Sequence, residues 1–214
     1  MTRSGIEPMR TGSAERVGGN GWSGLRRELL RKRIHIATAV VPAAVWFLPR
    51  SASLLLLVAG VVLAFAVELA RRRVRWVRYR FLRGTRVMLR DHERRRFAGA
   101  THMALAYLLA AVLFPRVVAV TAMLYNALGD AAGAVVGRRW GRRRTSWGKS
   151  WEGAGAVLAV NLAIGAAMPD ISPIAVVMGG IGAAALEFLP LPLDDNLRIT
   201  LGGGLALWLG TMLG

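Results

Sequence analysis

The sequence predicts an all-α polytopic membrane protein of about seven transmembrane helices with a cytoplasmic N-terminus. Three observations predict it. Of the 214 residues, 54% are hydrophobic, and mean hydropathy is +0.42. Those residues fall into seven apolar stretches, each near the length a membrane span needs. The basic residues are also sorted: 27 of the 29 Lys and Arg fall on one side when the connections are assigned alternately.

The first 24 residues are polar and Gly-rich, with no apolar h-region, so they read as a disordered tail rather than a signal peptide. Residues 25–214 form the membrane domain. Its apolar stretches cover 34–48, 51–70, 97–114, 117–137, 153–168, 172–189 and 197–213. The first is short, and its helix is expected to begin earlier, in the basic 26–33 segment. Residues 1–33 and the connections 71–96, 138–149 and 190–198 carry 8, 12, 6 and 1 basic residues, while the opposite side has only Arg50 and Arg116. Cytoplasmic loops are the Lys/Arg-rich ones. The N-terminus is therefore expected in the cytoplasm and the C-terminus outside, as in a multi-pass protein of a cell's inner membrane.

The formal net charge of +17 then has a topological origin, together with attraction to anionic lipid headgroups. The run 71–96 interleaves Trp76, Tyr79 and Phe81 with arginines and reads as an interfacial amphipathic helix. Its position between two spans argues against a nucleic-acid arm. There are no cysteines, which excludes disulfides and Cys-ligated metals.

Carboxylates in apolar runs mark the candidate site. Glu28, Glu68, Asp130, Glu152, Glu187, Asp194 and Asp195 all map to cytoplasmic span ends or cytoplasmic loops. For Glu68, followed by Arg71, Arg72 and Arg73, a surface ion pair is the simpler expectation. Asp130 lies deepest, roughly 10 Å inside the fourth span at 1.5 Å per residue. An intramembrane charge costs at least ~2.5–3.5 kcal/mol and so signals function. Gly133, Gly137 and Gly141 bare one helix face just beyond it, a pattern of helix packing that also suits a close backbone approach to a ligand. Arg138, Arg139, Arg142, Arg143, Arg144 and Lys149 follow. A carboxylate beside cations and backbone amides can hold a nucleoside triphosphate with Mg²⁺. The spacing is not that of a Walker P-loop.

Glu28, Arg31, Lys32 and His35 recur at i, i+3, i+4 and i+7, which places them on one helix face at the cytoplasmic boundary. His102 falls inside the third span, where a histidine more often serves helix–helix hydrogen bonding.

Together, Asp130-x2-Gly133-x3-Gly137-x3-Gly141-x7-Lys149-Ser150-x-Glu152-Gly153 resembles the nucleotide-binding signature of the dolichol kinase family. That family includes phytol kinases and CTP-dependent diacylglycerol kinases, and is related to phosphatidate cytidylyltransferases. Glu28-x2-Arg31-Lys32-x2-His35, Phe97-x-Gly99-Ala100-Thr101 and Asp194-Asp195-Asn196-Leu197 are similar to its flanking elements. The chain departs from the pattern at Gly133, where the family more often has Ala, and near Thr200, where it has Pro. The short length looks more like the phytol or diacylglycerol kinase branch.

The resemblance implies phosphoryl transfer from CTP to a membrane-embedded lipid alcohol such as a polyprenol, a phytol-like isoprenoid or diacylglycerol. On it, Asp130, Glu152, Asp194 and Asp195 are the Mg²⁺ ligands expected. Lys149, Arg138, Arg139, Arg31 and Lys32 would neutralise the triphosphate. Gly133, Gly137, Gly141, Ser150 and Gly153 would line it, and Asn196 would orient a phosphate or a metal-bound water. Asp130, Lys149, Glu152, Asp195 and His35 are the expected catalytic set, with the base for the lipid hydroxyl open among His35, Glu28 and Asp195. A cytidylyltransferase making CDP-lipid has nearly the same parts. A small transporter would spread polar residues through the full depth of the spans. A structural membrane protein, in which Asp130 would pair with a buried Arg or His for helix packing, is disfavoured by Asp130 and the Asp194-Asp195-Asn196 cluster.

Overall fold

The computed structural model describes residues 33, 35–77, 79, 80 and 97–214, and the rest of this account concerns those residues. Arg31, Lys32, Glu28 and the tail lie outside them. The described residues are mostly helical, with no β-strand beyond an isolated antiparallel bridge between Arg144 and Ser150.

Seven principal helices follow one another: α1 (Val40–Phe47), α2 (Arg50–Arg73), α3 (Gly99–Leu113), α4 (Arg116–Arg139), α5 (Trp151–Ala167), α6 (Pro173–Phe188) and α7 (residues 195–211). Each coincides with one predicted apolar stretch. Two of them, α2 and α4, are by length and composition apolar enough to cross a membrane, at 24 residues each; α3, α5 and α6 are shorter apolar helices of 15, 17 and 16 residues.

Proline and polar caps set the boundaries. Leu48 and Phe114 are extended because the residue before a proline is driven out of the helical region, which stops α1 and α3. Pro49 and Pro115 then stand as N-caps of α2 and α4. These two Pro-Arg turns lie side by side: the Arg116 guanidinium donates to the carbonyl of Trp46 at 3.3 Å. Ser172 caps α6 by accepting from Ala175 N–H, and Pro173 follows at the first helical position.

Neither α4 nor α7 is regular. Residues Tyr125–Gly129 in α4 and Arg198–Gly202 in α7 form single π-turns, which the apolar periodicity did not predict.

Packing is closest where side chains are smallest. A Cβ on Gly210 would lie 2.5 Å from the Ala175 backbone, and one on Gly179 2.8 Å from Leu207 Cβ, which binds α7 to α6. Helices α4 and α5 meet through Gly133, Gly137, Ser150, Gly153 and Val157. The larger core residues, among them Leu57, Met103, Tyr107, Phe114, Val118, Met123 and Leu207, fill the centre between α2, α3, α4 and α7.

A Cβ at Gly133 would overlap the Val157 Cγ2 methyl. Gly133→Ala is therefore expected to destabilise the protein by about 1–3 kcal/mol through overpacking. Thermal unfolding in detergent should record the loss, and Val157→Ala added to it should restore most of the midpoint. An unchanged midpoint in the single variant would show that the two helices do not meet there.

Candidate functional site

Polar side chains from α3, α4, α6 and α7 and from His35 gather at one end of the bundle. There α2, α4 and α6 finish and α3, α5 and α7 begin. Three linked groups make up this end.

The first centres on Asp130, in the turn that follows the π-turn of α4. Its Oδ2 lies 3.2 Å from His35 Nε2, and the same nitrogen lies 3.0 Å from the carbonyl of Asn126. Both side chains are nearly enclosed, at 12% and 13% exposure. The π-turn frees a carbonyl from the regular ladder and turns Asn126 inward, fully buried.

The second group continues from there. Asn126 Nδ2 donates to Asn196 Oδ1 at 3.2 Å, and Asn196 Nδ2 donates to Asp194 Oδ1 at 2.9 Å and to the Gly99 carbonyl at 3.3 Å. The Asn196 backbone N–H also donates to Asp194 Oδ1 at 2.9 Å, so Asp194 caps α7. The other Asp194 oxygen lies 3.5 Å from His102 Nδ1. This amide chain thus ties α3, α4 and α7 together, with Asn196 at its centre.

The third group consists of two ion pairs. Asp195 is gripped by Arg198, one turn on, whose guanidinium also donates to the Leu189 carbonyl. Lys149 pairs with Glu187, a carboxylate only 7% exposed near the end of α6. The charges of Lys149, Asp130 and Asp195 all bear on Glu187.

A tight turn delivers Lys149. Thr145 N–H bonds to the Lys149 carbonyl at 2.8 Å, and Gly148 takes φ +87°, a conformation glycine adopts without strain. Trp147 Nε1 donates to the Phe188 carbonyl at 2.9 Å, and the Trp151 ring lies 4.7 Å from that of Phe188. The turn is thereby pinned to the end of α6, and Lys149 is aimed at Glu187. Arg144 lends further support by donating to the Gly137 carbonyl at 2.9 Å, at the end of α4.

The remaining predicted residues are placed differently. Ser150 Oγ caps α5 by accepting from Gly153 N–H at 3.1 Å. A Cβ on Gly137 would lie 2.8 Å from that same oxygen, and one on Gly153 3.2 Å from Gly137 Cα. The faces that Gly133, Gly137, Gly141 and Gly153 leave bare are thus filled by the neighbouring turn and helix. Glu152 accepts the backbone N–H of Arg143 at 3.1 Å. Its carboxyl is held below the ordinary range by its own backbone N–H and then by that of Arg143. Arg138 and Arg139 are exposed at the end of α4, with Arg139 over the Trp140 ring at 5.7 Å.

Asp130, Glu152, Asp194 and Asp195 do not form a ready-made ion cage. Among the described residues, no three histidine or acidic side chains converge on one point. Each of the four carboxylates is engaged by a partner of its own.

Arg198 and Asn126 belong to this end of the molecule, although the sequence does not mark them as site residues, and so does Glu187, which the sequence marks as a carboxylate in an apolar run without giving it a role. Glu187 carried the same signal as Asp130, a charge in an apolar run. The two amide and guanidinium partners become recognisable only once α4 and α7 are side by side. Glu68, by contrast, is as expected an ion-pair carboxylate: it accepts from Arg71 Nε at 2.8 Å and Arg72 Nε at 2.9 Å, although it and Arg71 are buried rather than on the surface. Compared with family models, characterised proteins and solved structures, the chain matches none.

Proposed function

We propose that this chain is a polytopic membrane phosphotransferase with its site at the cytoplasmic face. More particularly, it is a CTP-dependent kinase acting on the hydroxyl of a membrane-embedded lipid alcohol. The observation that carries this reading is the gathering of Asp130, Lys149, Glu187, Asp194 and Asp195 at one end of an otherwise apolar bundle.

The membrane placement draws on how the apolar groups are distributed. Leu55, Val62 and Leu63 are 71%, 62% and 66% exposed on α2, while the closest contacts of α6 with α7 and of α4 with α5 are made at glycines. Large apolar side chains outside and small ones between helices suit a lipid solvent. The shorter helices rise about 23–26 Å at 1.5 Å per residue, so with their flanking residues they approach the ~30 Å hydrocarbon core. These helices, together with α2 and α4, would then be spans, α1 being the shortest at Val40–Phe47, and the basic connections would face the cytoplasm.

Phosphoryl transfer requires positioning and charge stabilisation more than a dedicated nucleophile. The nucleotide would reach Lys149, Arg138 and Arg139 from the aqueous side, while the lipid alcohol enters from the bilayer. A Mg²⁺ ion accompanying the triphosphate would need only one or two protein carboxylates. Asp130, held beside His35 just after the π-turn of α4, would supply one, and Asp194 would supply a second. The choice of CTP rests on the resemblance of the Asp130–Gly153 signature.

Purified protein incubated with nucleoside triphosphates labelled at the γ-phosphate, Mg²⁺ and a panel of lipid alcohols is expected to yield a labelled lipid monophosphate, with CTP preferred. Formation of a CDP-lipid from a lipid phosphate would instead establish the cytidylyltransferase reading. Absence of both products with every acceptor would overturn the enzyme assignment.

A further inference from the structure

We propose that Glu187 accepts the proton of the lipid hydroxyl, and that it becomes available for this when Lys149 turns from it to the triphosphate. The inference rests on the kinase reading above.

The partners of the carboxylates single it out. Asp195 is held by the Arg198 guanidinium, a group that stays charged and is itself anchored to the Leu189 carbonyl. Asp194 is held by two N–H groups of Asn196 at 2.9 Å. Asp130 faces His35, and Glu152 is turned to the Arg143 backbone. Glu187 pairs with Lys149, a cation that the phosphates themselves require.

Lys149 is also built to move. Its side chain is 31% exposed on a flexible four-carbon stem, whereas Glu187 lies beneath it at 7%. The group paired with Glu187 is Lys149, from the turn before α5; the charges of Asp130 on α4 and of Asp195 on α7, the latter paired with Arg198, also bear on it. Withdrawal of Lys149 uncovers Glu187 and leaves a nearly enclosed carboxylate without its counter-ion. A buried carboxylate stripped of its counter-ion takes up a proton more readily. Nucleotide binding would therefore create the base in the same motion that neutralises the phosphates.

The step balances without any other reactant. The lipid oxygen forms a bond to the γ-phosphorus while its proton passes to a Glu187 oxygen. The bond from the γ-phosphorus to the bridging oxygen breaks, and its electron pair leaves on CDP. Return of Lys149 to Glu187 after product release would expel the proton to water.

Two measurements test this on the full-length protein in lipid nanodiscs. Glu187→Gln is expected to lower kcat on the order of 10²–10⁴-fold, the range for loss of a general base. The KM for CTP should stay within about threefold and the acidic limb of the kcat–pH profile should vanish. A variant that keeps kcat, or whose KM rises while kcat holds, overturns the proposal and makes Glu187 a positioning residue for Lys149. In the wild-type protein, which sidesteps any folding defect of the variant, a hydrophobic carbodiimide should label Glu187 several-fold faster with a non-transferable CTP analogue and Mg²⁺ than without. Unchanged or slower labelling overturns the proposal. A wild-type protein inactive on every alcohol overturns the kinase reading itself, whereas an active wild type with an unimpaired Glu187→Gln variant overturns only this inference.

Discussion

Asp130→Asn is expected to lower lipid phosphorylation on the order of 10³-fold while leaving the protein folded. The change is nearly isosteric and keeps a hydrogen-bonding group 3.2 Å from His35 Nε2, so helix content and elution volume should match the wild type. What disappears is a negative charge held in an enclosed, weakly screened position, where electrostatic contributions to transfer are largest. The Asn side chain retains only a neutral carbonyl as a ligand for Mg²⁺ on the incoming nucleotide. The loss should appear in kcat/KM at Mg²⁺ concentrations that saturate the wild type and be partly relieved by raising the metal concentration further. Activity equal to wild type in a folded variant would remove Asp130 from the reaction and leave its partnership with His35 as helix packing.

The second large effect concerns Lys149. Lys149→Met is expected to weaken CTP binding and slow transfer, together on the order of 10²–10³-fold in kcat/KM, because one fixed cation on the phosphates is gone. It also leaves Glu187 buried without its cation, and breaking a buried pair from one side costs about 3–5 kcal/mol. The double variant Lys149→Met, Glu187→Gln removes both charges and should regain most of the thermal stability without any activity. Equal stability of wild type and both variants would mean that the pair is open in the membrane-embedded protein.

These expectations show where one-dimensional reading succeeds. Asp130 stands out because a carboxylate among alanine, valine and glycine cannot be ignored energetically. The helix order was equally legible, since every apolar run became a helix. The proline turns at Pro49 and Pro115 could be read as well, because their conformational restriction is local. The π-turns were invisible: a single extra residue alters the phase of a helix without changing its hydropathy. Gly133 and Gly137 carried an ambiguity that spacing alone cannot resolve, since a bare face suits a ligand as well as a helix. Here Ser150, Gly153 and Val157 occupy that face. Asn126 and Asn196 are neutral amides, so their role becomes apparent only when the one is seen to donate to the other across α4 and α7.

The single π-turn in α4 also frees the two halves of that helix from a shared register. Above it, Val118, Ala119, Val120, Ala122 and Met123 are all enclosed by the core; below it, Gly133 and Gly137 keep a narrow seam with α5. A regular helix would lock the two contact patterns into a fixed angular relation. An extra residue at 125–129 acts instead as a local clutch, so substitutions that re-pack the core need not rotate Asp130 away from His35. Chemistry and scaffold could in this way change at different rates within one continuous rod.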